Sequence, residues 1–171
     1  GYTALAVDLY DGKTANAPKD AYQLSTNLSN NEARALANLQ EAYDYLKNEI
    51  GAEKIGIIGW CLGGKWSLKA SLMLPTEIDA SVIYYGSLTD DKERLETLEM
   101  PIIGFVGTKD RLHKQFIQFD EDLKGSNKEA SIHFYEGAKH AFANASGGAY
   151  ESNAAEDSWK KTVVFLEKYL H

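Results

Sequence analysis

The sequence predicts an α/β fold, a mostly parallel sheet flanked by helices on both faces, and three observations carry that prediction. Short apolar, β-branched runs recur along the chain at Thr3–Tyr10, Lys54–Trp60, Ala80–Tyr85, Ile102–Val106 and Ser131–Tyr135. Segments of helical periodicity separate them, and strands alternating with helices are the pattern of βαβ units. The strand runs are apolar almost throughout, not at every second residue, which fits strands covered from both sides.

Each element has its own local reason. Thr3–Tyr10 reads as a buried strand closed by the turn sequence "YDGK". Residues 11–29 are polar and contain Pro18, so they read as a loop with room for one helical turn. Asn31–Ile50 reads as a helix, because Leu36, Leu39, Tyr43, Leu46 and Ile50 recur at three- and four-residue steps and Gly51 supplies a C-cap. Lys54–Trp60 is the next strand and Leu62–Leu74 the helix after it, stopped by Pro75. Between Ala80–Tyr85 and Ile102–Val106 the stretch "DDKERLETLE" reads as a charged, exposed connection. Leu112–Lys124 reads as helical and Ser131–Tyr135 as the last strand. The last helix, Ala154–Leu170, carries Trp159, Val163, Leu166 and Leu170 on one side, and Trp66 and Trp159 are assigned to the core.

Bulk properties narrow the classes. A chain of 171 residues suits a single domain over 1–171. A formal net charge of -7 argues against a nucleic-acid partner, which needs clustered Lys and Arg. No apolar run approaches the roughly 20 residues of a membrane span, and no signal peptide opens the chain. One cysteine cannot form an internal disulfide, which fits a reducing cytoplasm.

In open parallel sheets, active sites collect beyond the carboxyl ends of the strands, and three strand ends here bear chemistry. The first is Gly59-Trp60-Cys61-Leu62-Gly63, a G-x-C-x-G pattern with sulfur at the nucleophile position of a sharp strand-to-helix turn. Glycines at Gly59 and Gly63 are expected to remove side chains that the strained turn would bring into collision. A helix N-terminus behind Cys61 favours the thiolate. The second is Asp110, just past Ile102–Val106, and the third is His140, in the loop after Ser131–Tyr135. Taken singly, each has a plainer reading: a buried structural thiol, a helix N-cap and a solvated loop histidine. Together they follow the chain order nucleophile, acid, histidine, and each stands where a nucleophile, its orienting acid and its base are needed.

With those residues in view, the sequence resembles the dienelactone hydrolase family of α/β-hydrolases. The matching pieces are "DLYDGK", "GWCLGGKWSL", "YYGS", "GTKDRLH", "GAKHAFAN" and "AAEDSWKKTVVFLEKYL", which together run along nearly the whole chain. The resemblance implies an enzyme that hydrolyses small esters or lactones without metal or other cofactor. In it Cys61 is the nucleophile, Asp110 the acid, His140 the base, and the Leu62 N–H an oxyanion donor. Trp60 and Phe142 flank these residues and are the first candidates for the pocket wall, with Tyr85 a further one. Family members carry an arginine that helps hold a substrate carboxylate where Asn144 stands here, leaving Lys13 and Arg111 as cations to take that part. They also have N-terminal strands ahead of the one matching Thr3–Tyr10, which supply a second oxyanion donor and a glutamate that contacts the resting thiol. The chain is therefore expected to be N-terminally truncated relative to the family, with an exposed sheet edge that favours a homodimer. Two other readings of Cys61 stand beside hydrolysis: a non-catalytic module of the same fold that binds a small molecule or a partner chain, and a redox-sensitive thiol.

Overall fold

The structure is a computed structural model describing residues 1–171. Its contacts divide the chain into two compact units, Gly1–Glu53 and Lys54–His171.

The first unit is helical. Helix α1 spans Pro18–Asn30 and α2 spans Glu32–Asp44, running on into a π-helical turn at Tyr45–Glu49. The expected loop over residues 11–29 is therefore largely helix. Pro18 opens α1 at a position where its missing N–H leaves no bond unmade, so it starts this helix instead of breaking it. The strand expected at Thr3–Tyr10 is absent. The Asp8 carboxylate accepts the N–H of Tyr10, at 2.8 Å, and that of Gly12, and the two bonds hold its pKa below the usual carboxylate range. Those donors are spent on a local turn, and no neighbouring ladder takes up the others.

The second unit holds the sheet. Strands β1 (Gly56–Trp60), β2 (Ala80–Tyr84), β3 (Ile102–Gly107) and β4 (Ala130–Tyr135) lie side by side in that order, all parallel. Three helices cover it: α3 (Leu62–Met73), α5 (His113–Gly125) and α6 (Ser152–Leu170). The register settles which helix takes which face. Gly59 faces Gly63 and Ser67 of α3, and Gly104, in line with it across the sheet, faces Phe116 of α5. Gly56, three residues before Gly59 and so on the opposite side of the pleat, faces Leu166 and Leu170 of α6. Helices therefore cover both faces, as the sequence pattern predicts. The α6 face holds the core cluster of Val82, Tyr84, Ile103, Phe105 and Phe142. No helix is long and apolar enough to cross a membrane.

Two side-chain assignments differ from expectation. Trp66 is buried, but Trp159 is 52% exposed. The buried line of α6 runs instead through Ala154, Ser158 and Thr162, four residues apart. These small residues let the helix lie close to β2, where the Thr162 and Tyr84 hydroxyls meet at 2.7 Å, and Trp159 and Val163 turn outward. The charged stretch before β3 contains a short helix, α4 (Lys92–Leu95), capped by the Asp91 carboxylate. Leu95 and Leu98 within this stretch are completely buried, so it seals part of the core despite its charge. Leu95→Ala is expected to cost about 2–5 kcal/mol of stability in chemical denaturation. A cost below about 0.5 kcal/mol, typical of surface changes, would contradict that role.

Candidate active site

All three chemical groups lie beyond the carboxyl ends of strands in the second unit. Cys61 follows β1 directly, with φ 54° and ψ -113°, a left-handed conformation that a non-glycine residue adopts only when its surroundings enforce it. Two backbone bonds enforce it: Cys61 N–H donates to Tyr84 C=O at 3.0 Å, and Lys65 N–H to Cys61 C=O at 3.2 Å. The turn is so tight that a Cβ at Gly59 would stand 2.2 Å from the Gly63 carbonyl. At Gly63 itself an added Cβ meets nothing within 4 Å, so only the first glycine of the pattern is needed for space. A second close approach lies outside that pattern. Gly86, after β2, packs against Gly64, and a Cβ there would stand 2.3 Å from the Gly64 carbonyl carbon. The glycine of "YYGS" is its trace in the sequence.

The imidazole of His140 bridges the other two groups. Its Nε2 lies 3.1 Å from Cys61 Sγ, and its Nδ1 lies 2.7 Å from Asp110 Oδ2. The Asp110 side chain is fully buried, and its other oxygen accepts the Leu112 N–H at 2.9 Å. That bond ends on Leu112, itself the N-cap residue of α5, so Asp110 is not the helix N-cap that its position in the sequence also suggests, and its carboxylate faces the histidine. Tyr85 packs its ring edge-on against the imidazole, with centroids 5.2 Å apart. The His140 bond is the largest influence lowering the Cys61 pKa; burial opposes it, and the Leu62 N–H and the Arg111 charge assist. The same bond, aided by Asp110, raises the His140 pKa against its burial. Both directions favour a thiolate–imidazolium pair.

Not every candidate joins the group. Leu62 places its N–H beside the sulfur. Trp60 is 42% exposed next to Cys61 and packs on Tyr84, so it presents an aromatic surface at the rim. Phe142 and Tyr85 are buried and belong to the core cluster, so they support the wall from behind and do not form it. Asn144 is exposed, and its side-chain oxygen is taken up by the Ser146 N–H and hydroxyl. Arg111, expected only as a substitute cation, sends its charge onto the thiol. A groove of about 440 Å³ between β4 and α6, with His133, Lys160, Lys161 and Phe165 among its lining, includes none of Cys61, Asp110 or His140. No cluster of three His, Cys, Asp or Glu side chains suited to a metal ion is present.

The sequence matches the dienelactone hydrolase family over residues 1–170. It is also 32% identical to the protein usf of Aquifex pyrophilus, across 99% of this chain and 76% of that one. The chain belongs to the dienelactone hydrolase family. As a member of that family it is a hydrolase, and its parallel sheet with helices on both faces is the family's α/β-hydrolase architecture. It is 27% identical to the carboxymethylenebutenolidase of Pseudomonas putida, across 97% of this chain and 74% of that enzyme. Among solved structures it resembles a dienelactone hydrolase-like promiscuous phosphotriesterase from metagenomic libraries, with a TM-score of 0.84 and 17% identity. That likeness, which covers 97% of this chain and 74% of the other, speaks for the fold.

Proposed function

We propose that this dienelactone hydrolase family member cleaves small esters or lactones through a thioester on Cys61, with His140 moving the proton and Asp110 orienting His140. The observation that carries the reading is the pair of contacts made by one imidazole, 3.1 Å to the sulfur and 2.7 Å to a buried carboxylate. In the first half-reaction Sγ attacks the substrate carbonyl carbon, and the oxyanion that develops faces the Leu62 N–H at the start of α3. The C–O bond to the leaving group breaks, and His140 Nε2 delivers its proton to the departing oxygen. In the second, Nε2 takes a proton from water as the water attacks the thioester, and Sγ departs as the thiolate. Asp110 accepts from Nδ1 throughout, fixing the tautomer and stabilising the imidazolium. The carboxymethylenebutenolidase relative supports a lactone among the substrates, and the small side chain of Asn144, already engaged by Ser146, leaves an anionic substrate no arginine at that position.

The pH dependence tests this directly. A thiol lowered by His140 is ionised above its reduced pKa, and the pair with imidazolium is lost as pH rises through the raised pKa of His140. Iodoacetamide should therefore alkylate Cys61 well below the pH at which a free thiol reacts. In His140→Ala the midpoint of alkylation is expected to move up toward that of a free thiol, and turnover of p-nitrophenyl acetate to fall with it. An unchanged midpoint would remove His140 as the partner of the thiol.

A further inference from the structure

We infer that Thr108 is a positioning residue for the proposed hydrolysis: its hydroxyl oxygen holds the loop of His140 at bonding distance from Asp110. The inference rests on the reading of His140 as the base, and every residue in it belongs to the second unit.

The acid and the histidine stand on separate loops, one after β3 and one after β4, so the distance between them is set by whatever ties those loops together. The β3–β4 ladder ends at the pair Gly107 and Tyr135. Beyond it three bonds continue the connection. Thr108 N–H donates to Tyr135 C=O at 2.9 Å, Lys109 N–H donates to Ala138 C=O at 3.0 Å, and Gly137 N–H donates to Thr108 Oγ1 at 2.8 Å. The first two join main chain to main chain, and any residue but proline at 108 and 109 could make them. The third alone depends on a side chain. It also falls on the residue with the most conformations to escape to: Gly137 has φ 75°, in the left-handed region. The loops are close at this point, since a Cβ at Gly107 would stand 2.1 Å from the Ala138 carbonyl oxygen.

Small movements count here. His140 Nδ1 and Asp110 Oδ2 are 2.7 Å apart, so about 0.5 Å of drift stretches their bond to the edge of the usual range near 3.2 Å. The acid cannot follow, because its side chain is fully buried and the Leu112 N–H holds its other oxygen. Beyond the imidazole the loop is anchored by Phe142, which is buried in the core and whose C=O accepts the Glu151 N–H at 2.9 Å. Thr108 supplies the anchor on the other side, three residues before His140. A looser loop weakens proton transfer in both half-reactions while no group that meets the substrate is removed. The loss should therefore fall on kcat and spare KM.

Thr108→Val keeps the shape of the side chain but removes the oxygen that accepts the Gly137 N–H, whereas Thr108→Ser keeps it. With p-nitrophenyl acetate, Thr108→Val is expected to lower kcat by about 10–10²-fold at nearly constant KM, and Thr108→Ser to stay within about threefold of the parent. The far-downfield proton NMR signal of the Nδ1–H···Oδ2 bond should move upfield in Thr108→Val and hold its place in Thr108→Ser. Leu95→Ala, which removes core packing outside both loops, separates positioning from stability: its kcat and its downfield signal should match the parent's. In the parent itself, hydrogen exchange at the Gly137 amide should be slowed by at least about tenfold against an unprotected amide. Unslowed exchange there would overturn the inference even if Thr108→Val did not fold. So would a fall in kcat below tenfold in folded Thr108→Val, or an equal fall in Thr108→Ser. Either result leaves the hydrolase reading standing while the parent outpaces Cys61→Ala. A parent no faster than Cys61→Ala would overturn both.

Discussion

Cys61→Ala is expected to lower the hydrolysis of p-nitrophenyl acetate by about 10⁴–10⁶-fold while leaving the fold in place. The size of the loss comes from removing the atom that carries the acyl group, since no other nucleophile lies within reach of His140 Nε2 in the contacts around it. The fold survives because the side chain is exposed and alanine adopts the left-handed φ no less readily than cysteine. Stability should stay within about 0.5 kcal/mol of the parent, as for an ordinary surface change. The measurement is steady-state turnover beside a denaturation curve. A redox thiol, or a module that only binds, predicts an unaltered low rate in both proteins. A fall of less than tenfold from a measurable parent rate would remove Cys61 as the attacking atom.

The second large effect concerns stability and separates two glycines that the motif treats alike. Gly59→Ala is expected to destabilise the chain by about 3 kcal/mol or more, a large share of the roughly 5–15 kcal/mol that holds a domain together. A Cβ at Gly59 would meet the Gly63 carbonyl at 2.2 Å and Ser67 Oγ at 2.6 Å, and the first of these is backbone that cannot swing aside. Relief would require β1 and α3 to part at the turn that carries Cys61. Gly63→Ala has the opposite sign. Its Cβ meets nothing within 4 Å, its φ is not positive, and it lies within α3, where alanine is favoured over glycine by about 0.5–1 kcal/mol. Urea or thermal unfolding of both variants decides the matter. Equal destabilisation by the two would mean that Gly63, like Gly59, faces packed backbone.

The contrast between those glycines shows what can be read from the sequence. G-x-C-x-G marks a tight turn, but which glycine meets which backbone depends on how α3 leaves the strand. The sheet strands from Lys54 onward are legible because each is a dense apolar run, and the three chemical groups because each stands just after such a run. Thr3–Tyr10 has the same apolar character and is not a strand, since strand propensity becomes structure only beside a partner, and Asp8 diverts the Tyr10 N–H into a local turn. Pro18 reads as a breaker where it is a helix start, and Leu95 and Leu98 lie hidden among charges. Phe142 sits two residues from His140 yet points into the core, so nearness along the chain says nothing about direction. Trp159 fails for a related reason: a helical apolar stripe names a face only to within one residue's turn, and small residues settle which face α6 buries.

The imidazole contacts reach a carboxylate 30 positions away and a sulfur 79 positions away. No short stretch of chain can hold that arrangement; it exists only after β1, β3 and β4 have come into register. Partly assembled forms should therefore be silent in an ester assay even when they keep most of their helix. Recovery of turnover during refolding would time the last strand's arrival, a quantity that circular dichroism alone would miss.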